Sequence, residues 1–120
     1  MNKSAAVKML NAIGLGYGIA SLVAPGPLQR VYGSATTTPE LRQMTRLWGS
    51  TLISLSAISA RARADDHDRL LLAVGAGNAL AAAAELLAAA TDGLPAKVAL
   101  PGAASSAAVA GACFWARTLG

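Results

Sequence analysis

Apolar residues recur along this chain in four long runs separated by short polar or proline-containing breaks. The first extends from about Ser4 to Ala24 and stops at Ala-Pro-Gly-Pro, where proline removes a backbone donor and glycine lowers helix propensity. The others extend from about Glu40 to Ala60, from Arg69 to Ala90 and from Pro95 to Arg117. A helix of about 20 residues, rising about 1.5 Å each, covers the hydrocarbon core of a bilayer. The breaks carry suitable start and stop signals. Thr38-Pro39-Glu40 offers a hydroxyl cap, a first-turn proline and an acid at the positive end of the helix dipole. Thr91-Asp92-Gly93 is a helix stop. The Leu28-to-Tyr32 stretch predicts a short interfacial helix with Tyr32 near the headgroups, and Pro101 predicts a kink in the last helix. Short polar turns join antiparallel neighbours. The expected fold is all-α: an integral membrane, antiparallel four-helix bundle, one domain over residues 1–120 with spans of about 4–24, 40–60, 69–90 and 95–117.

Composition supports that expectation. Hydrophobic residues make up 54% of the chain and charged residues 13%, against about 25% charged in soluble domains. Alanine and glycine supply much of the apolar count, which suits closely packed membrane helices; a soluble alanine-rich bundle is the alternative. The net charge of +4 comes from Lys and Arg spread along the chain. They are not gathered on a basic face with interleaved aromatics, so nucleic acid is not an expected partner. The charges belong to helix ends. With the N-terminus inside, Lys3, Lys8, Arg61, Arg63, Arg69 and Arg117 lie on the inner side and Arg30, Arg42, Arg46 and Lys97 on the outer. That imbalance favours an inner-membrane protein with both termini cytoplasmic. The N-terminus imitates a secretory signal, but the run is long and Pro25 follows Ala24, so a retained first span is expected. Cys113 is the only cysteine; it excludes an internal disulfide and is expected to be a buried packing residue.

Glu85 carries most of the chemical interest, because the run around it is otherwise almost wholly apolar. An ionisable group at such depth normally faces a protein interior and has a partner. Arg46 lies about 6 Å, and Glu85 about 7 Å, to the same side of the bilayer centre at 1.5 Å per residue. A buried Arg46–Glu85 pair is therefore expected, with Tyr17 in the same layer. Leu71, Gly75, Asn78, Ala82, Glu85 and Ala89 follow helical spacing along one inner face. Arg46, Ser50, Ile53 and Ala57 align on the second span, and Asn11, Ser105 and Ser106 add polarity near the midplane.

Tyr17, Arg46, Trp48, Ser50, Asn78 and Glu85 together suggest an inter-helix pocket for a lipophilic small molecule. In an enzyme, Glu85 would be the general acid, isomerising or cyclising a lipid-like or terpenoid substrate, with Arg46 tuning it. The alternatives are a proton-coupled small transporter, in which Arg46 would repel a cationic substrate, and a purely structural or accessory subunit in which the pair fixes helix register. No glycine-rich phosphate loop, metal-ligand spacing or Ser-His-Asp arrangement is present, so no cofactor or metal is expected. His67 with its neighbouring aspartates reads as a solvated turn. The expected partners are membrane lipids, the lipophilic molecule and a second copy of the chain, meeting through Gly14 and Gly18 or through Ala103, Ala107 and Gly111.

Three stretches, Leu22 to Pro25 with Val31 to Gly33, Arg46, and Glu85, resemble a family of small four-span bacterial membrane proteins that is loosely DoxX-like. The resemblance covers the whole chain and implies a four-helix membrane fold; it brings no settled activity. The family pattern has an acid directly after the arginine and an aspartate in span three, where this chain has Leu47 and Glu85. Small multidrug transporters are similar in length but carry their membrane glutamate in the first span, which has no acid here. Fluoride channels are similar in size, but their Thr-Thr-Phe-Ser signature is absent.

Overall fold

Two helices open on side-chain caps. Asn2 accepts a hydrogen bond from the Ala5 amide at 2.8 Å and starts α1 (Lys3–Val23). Thr38 accepts one from the Leu41 amide at 3.1 Å and starts α3 (Pro39–Ala60). Each cap satisfies one of the donors that a helix N-terminus leaves free. Between them lies α2 (Pro25–Val31). A 3-10 turn at Ala64–Asp66 leads into α4 (His67–Thr91), and α5 (Ala96–Arg117) completes the chain. The computed structural model describes all 120 residues and contains no strand.

The Ala-Pro-Gly-Pro break is sharper than a loop. Only Ala24 leaves helical geometry, at φ −131° and ψ 59°, and Pro25 is already the first residue of α2. Proline fits there because its missing N–H costs nothing at a helix start. The short helix expected from Leu28 therefore begins at Pro25. Pro101 sits inside α5 without ending it, but it leaves the Lys97 carbonyl without its i+4 donor. Gly33, at φ +92°, packs its backbone against that carbonyl. Alanine at position 33 would meet both a left-handed backbone and a collision with the Lys97 carbonyl. Gly33→Ala is expected to lower stability by about 2 kcal/mol, read as thermal unfolding in detergent micelles.

The helices pack as two hairpins. One joins α1 to α3, with α2 at its corner; the other joins α4 to α5. Small residues set the distance in both. Gly18 and Gly49 face each other across α1 and α3, where a Cβ on Gly18 would lie 3.0 Å from the Gly49 carbonyl oxygen. In the second hairpin, a Cβ on Gly75 would lie 2.8 Å from the Phe114 ring. The two hairpins touch each other lightly, through α1 against α4 and α5 and through Tyr32 and Gly33 against α5, and α3 has no extended contact with α4.

One core cluster ties the hairpins together, made of Ala6, Val7, Leu71, Cys113 and Ala116. Cys113 is fully buried there, as its apolar context predicted. A charged layer closes the same end. Asp68 pairs with Arg117 at 2.9 Å and Lys3 at 3.5 Å, and the Lys3 amide donates to the Gly120 carbonyl at 2.8 Å. Arg117 donates from both Nε and Nη2 to the Asp68 carboxylate, at 3.1 and 2.9 Å. His67, expected in a solvated turn, is only 8% exposed.

Burial is sparse elsewhere. The chain exposes 7165 Å², whereas a compact soluble protein of this mass exposes about 6,000 Å². Many leucine, isoleucine, valine and tryptophan side chains are exposed, the inverse of a soluble fold. Three helical segments are long and apolar enough to cross a membrane: Lys3–Val23, Ala64–Thr91 and Ala96–Arg117. The α3 helix, expected as a fourth span, is long enough at 22 residues but too polar to qualify by composition. Arg42, Arg46 and its many serine and threonine hydroxyls lower its hydropathy.

Candidate functional site

The inner face of α4 is the row that helical spacing selected. Leu71 and Gly75 are buried, and Asn78, Ala82, Glu85 and Ala89 are half-buried behind them. Leu71 and Gly75 meet the core at the charged end; the remaining four continue toward the opposite end. Asn78 satisfies its amide locally, donating to the Val74 carbonyl at 2.9 Å, so it has no need of a partner helix.

Glu85 projects toward α5 and rests on Gly102. Its carboxylate occupies the space that any side chain at position 102 would need. The neighbouring polar groups are hydroxyls. Tyr17 of α1 lies within electrostatic reach of the carboxylate and packs edge-on against Tyr32 at the end of α2, with ring centroids 6.0 Å apart and planes at 77°. The Tyr32 hydroxyl lies 3.3 Å from that of Ser105 on α5. Residues from α1, α2, α4 and α5 thus converge on one polar layer. Tyr32 is half-buried against these residues, brought there because α2 folds straight back from Ala24.

The expected Arg46–Glu85 pair is absent. The ion pairs of the chain join Asp68 to Lys3 and Arg117, and Asp66 to Arg69. Arg46 is on the exposed side of α3. Matching depth did not bring the two together, because α3 packs on α1 and makes no extended contact with α4. The ridge of Arg46, Ser50 and Ala57 faces outward, with only Ile53 half-buried. The ridge that faces α1 is Thr45, Gly49, Ser56 and Ser59. Close packing decides this: small residues allow the backbones to approach, and an arginine at the contact would hold them apart.

The sequence-predicted site therefore divides. Tyr17 and Glu85 are together, and Asn78 shares their side of α4. Arg46, Trp48 and Ser50 lie on the open face of α3, where Trp48 is 47% exposed and Ser50 returns its hydroxyl to the Arg46 carbonyl at 3.0 Å. Tyr32, Gly102 and Ser105 join Glu85 instead. Ser105 carried a signal as a midspan hydroxyl. Gly102 carried none, since its role depends on which α5 residue faces Glu85.

The small-residue pair Gly14 and Gly18, considered for dimerisation, is used within the chain. Gly14 faces Ser56 and Gly18 faces Gly49 and Ile53. On α5, Ala103 is buried while Ala107 and Gly111 remain exposed.

Chemically, the layer offers one carboxyl group able to exchange a proton and three hydroxyls able to donate or accept hydrogen bonds. Glu85 has neither a cation nor a hydrogen-bond donor from its own chain. No family model, curated protein or solved structure matches this chain.

Proposed function

We propose that this chain is a four-span inner-membrane protein, with both termini cytoplasmic, that binds a lipophilic small molecule between its two hairpins. The head of that molecule is a hydroxyl or an amine that donates to Glu85; its body lies against the apolar walls of α1, α4 and α5. In this arrangement α3 spans as well, carried across the bilayer by its close contact with α1. The four-span reading agrees with the DoxX-like resemblance, which itself brings no activity.

One observation carries the binding reading. The Glu85 carboxylate lies deep in an apolar helix with no cation or donor from its own chain, beside the Tyr17, Tyr32 and Ser105 hydroxyls. A purely structural role would pair it, since an intramembrane charge is costly alone. Arg46 is exposed and makes no ion pair with Glu85, so a cationic head suits the site as well as a hydroxyl. Glu85 is also the group placed to give or take a proton if the bound molecule is isomerised or cyclised.

The test is to purify the protein in mild detergent and analyse the organic extract by mass spectrometry. A lipophilic species should accompany wild type and Arg46→Ala in equal amounts. Glu85→Ala should retain about tenfold less or lower still, because a hydrogen bond to a charged group contributes about 1.5–3 kcal/mol. Identical extracts from all three proteins would overturn the reading.

A further inference from the structure

Asn11 of α1 is a further polar side chain without a hydrogen bond from its own chain, and it faces the α1–α3 side of the molecule. It sits two residues from the middle of α1, about 3 Å along the axis. Asn2 caps α1, Asn78 bonds its own helix and Gln29 donates to Thr45, whereas Gln43 is exposed near the polar start of α3. Asn11 makes no hydrogen bond within the chain. Its side chain lines an open groove of 210 Å³ between α1 and α3, together with Ala12, Leu15, Ile53, Ser56, Ala57 and Ala60; Ser56 turns toward Gly14. Neither α4 nor α5 contributes to that groove.

The geometry points to this α1–α3 face as the interface with a second, parallel copy of the same chain, joined by Asn11 pairing with Asn11. An asparagine amide carries both donor and acceptor, so it is complementary to itself across a two-fold axis. An axis normal to the membrane brings the two amides to the same depth. An inverted copy would offset them by about 6 Å along the helices, beyond hydrogen-bond reach. Ala12, Ala57 and Ala60 are small enough to let the facing backbones approach, the usual composition of a membrane helix interface. A lipid acyl chain fits the groove but leaves the amide unpaired in hydrocarbon, which is the costlier state. Asn11 is also too short and too central to reach the headgroups, unlike Arg46.

Dimerisation is measured in lipid vesicles by single-molecule photobleaching over a range of protein-to-lipid ratios. Wild type and Asn11→Gln should dimerise alike, and Asn11→Leu should dimerise about tenfold more weakly, the effect of losing one to two interhelical hydrogen bonds. A second measurement keeps Asn11 intact. In a Cys113→Ala background, Ala12→Cys should form a disulfide-linked dimer on mild oxidation. A monomeric wild type, a dimer indifferent to Asn11→Leu, or absence of the Ala12→Cys cross-link would each overturn the interface. A monomer that retains phospholipid would assign the groove to an acyl chain instead.

Discussion

Leucine in place of Gly49 is expected to force α1 and α3 apart and to cost about 3 kcal/mol or more. Even a single Cβ there would stand 2.6 Å from the Gly18 carbonyl oxygen, 2.9 Å from the Ser21 Cβ and 3.1 Å from the Leu22 amide nitrogen. Two of those neighbours are backbone atoms, which cannot rotate away. Ser21 has no room either, being fully buried with its hydroxyl bonded to the Tyr17 carbonyl at 2.8 Å. Relief therefore requires the whole α1–α3 contact to open. The effect should appear as a large fall in unfolding temperature in detergent micelles. Gly111→Leu is the control, because nothing lies within 4 Å of the added carbon. Equal stability of the two variants would show that α1 and α3 do not cross at Gly18 and Gly49.

Leucine in place of Gly102 should have the second large effect, and on function as well as stability. The Glu85 carboxylate fills the volume beside Gly102, so a side chain there must displace the acid or separate α4 from α5. Both outcomes move the carboxylate away from Tyr17 and Ser105. Retention of the lipophilic species should fall about tenfold or further, matching Glu85→Ala, although Gly102 contributes no polar side chain. Overpacking the α4–α5 contact should also cost about 1–3 kcal/mol. Measuring retention and unfolding temperature on the same preparation separates the two effects. Normal retention in a folded Gly102→Leu protein would remove Glu85 from the binding site.

Much of the fold is legible in the amino-acid sequence. Thr38, Pro39 and Glu40 mark the start of α3 because capping is a local matter, settled within one turn. The Thr91-Asp92-Gly93 stop, the burial of Cys113 and the inner face of α4 are equally readable. On α4 the two polar residues of the apolar run, Asn78 and Glu85, lie one above the other at helical spacing, and they mark the face that turns inward.

The departures have a common origin on α3. That helix carries two rows of small and polar residues. One contains Arg46, Ser50 and Ala57; the other contains Thr45, Gly49, Ser56 and Ser59. Adjacent residues differ by about 100° around a helix, so choosing the wrong row turns Arg46 from the surface to the interior. The glycines carry the distinguishing signal, since Gly49 matches Gly14 and Gly18 as a close-approach surface. Depth along the bilayer agrees for Arg46 and Glu85, but depth is one coordinate of three.

By itself, the sequence determined where the long helices lie and how α3 starts and α4 stops, which segments are apolar, and that Glu85 is isolated among apolar neighbours. These follow from local rules of capping, proline geometry and hydropathy, in which every interacting group lies within a few residues. Only the tertiary structure decided what Glu85 meets. The α1–α3 and α4–α5 hairpins each close through glycines at their own crossings, and that pairing separates Arg46 from Glu85. The same pairing brings Tyr17, Tyr32, Ser105 and Gly102 to the acid. Helix partnership is a competition among non-local surfaces, won by the faces whose backbones approach most closely.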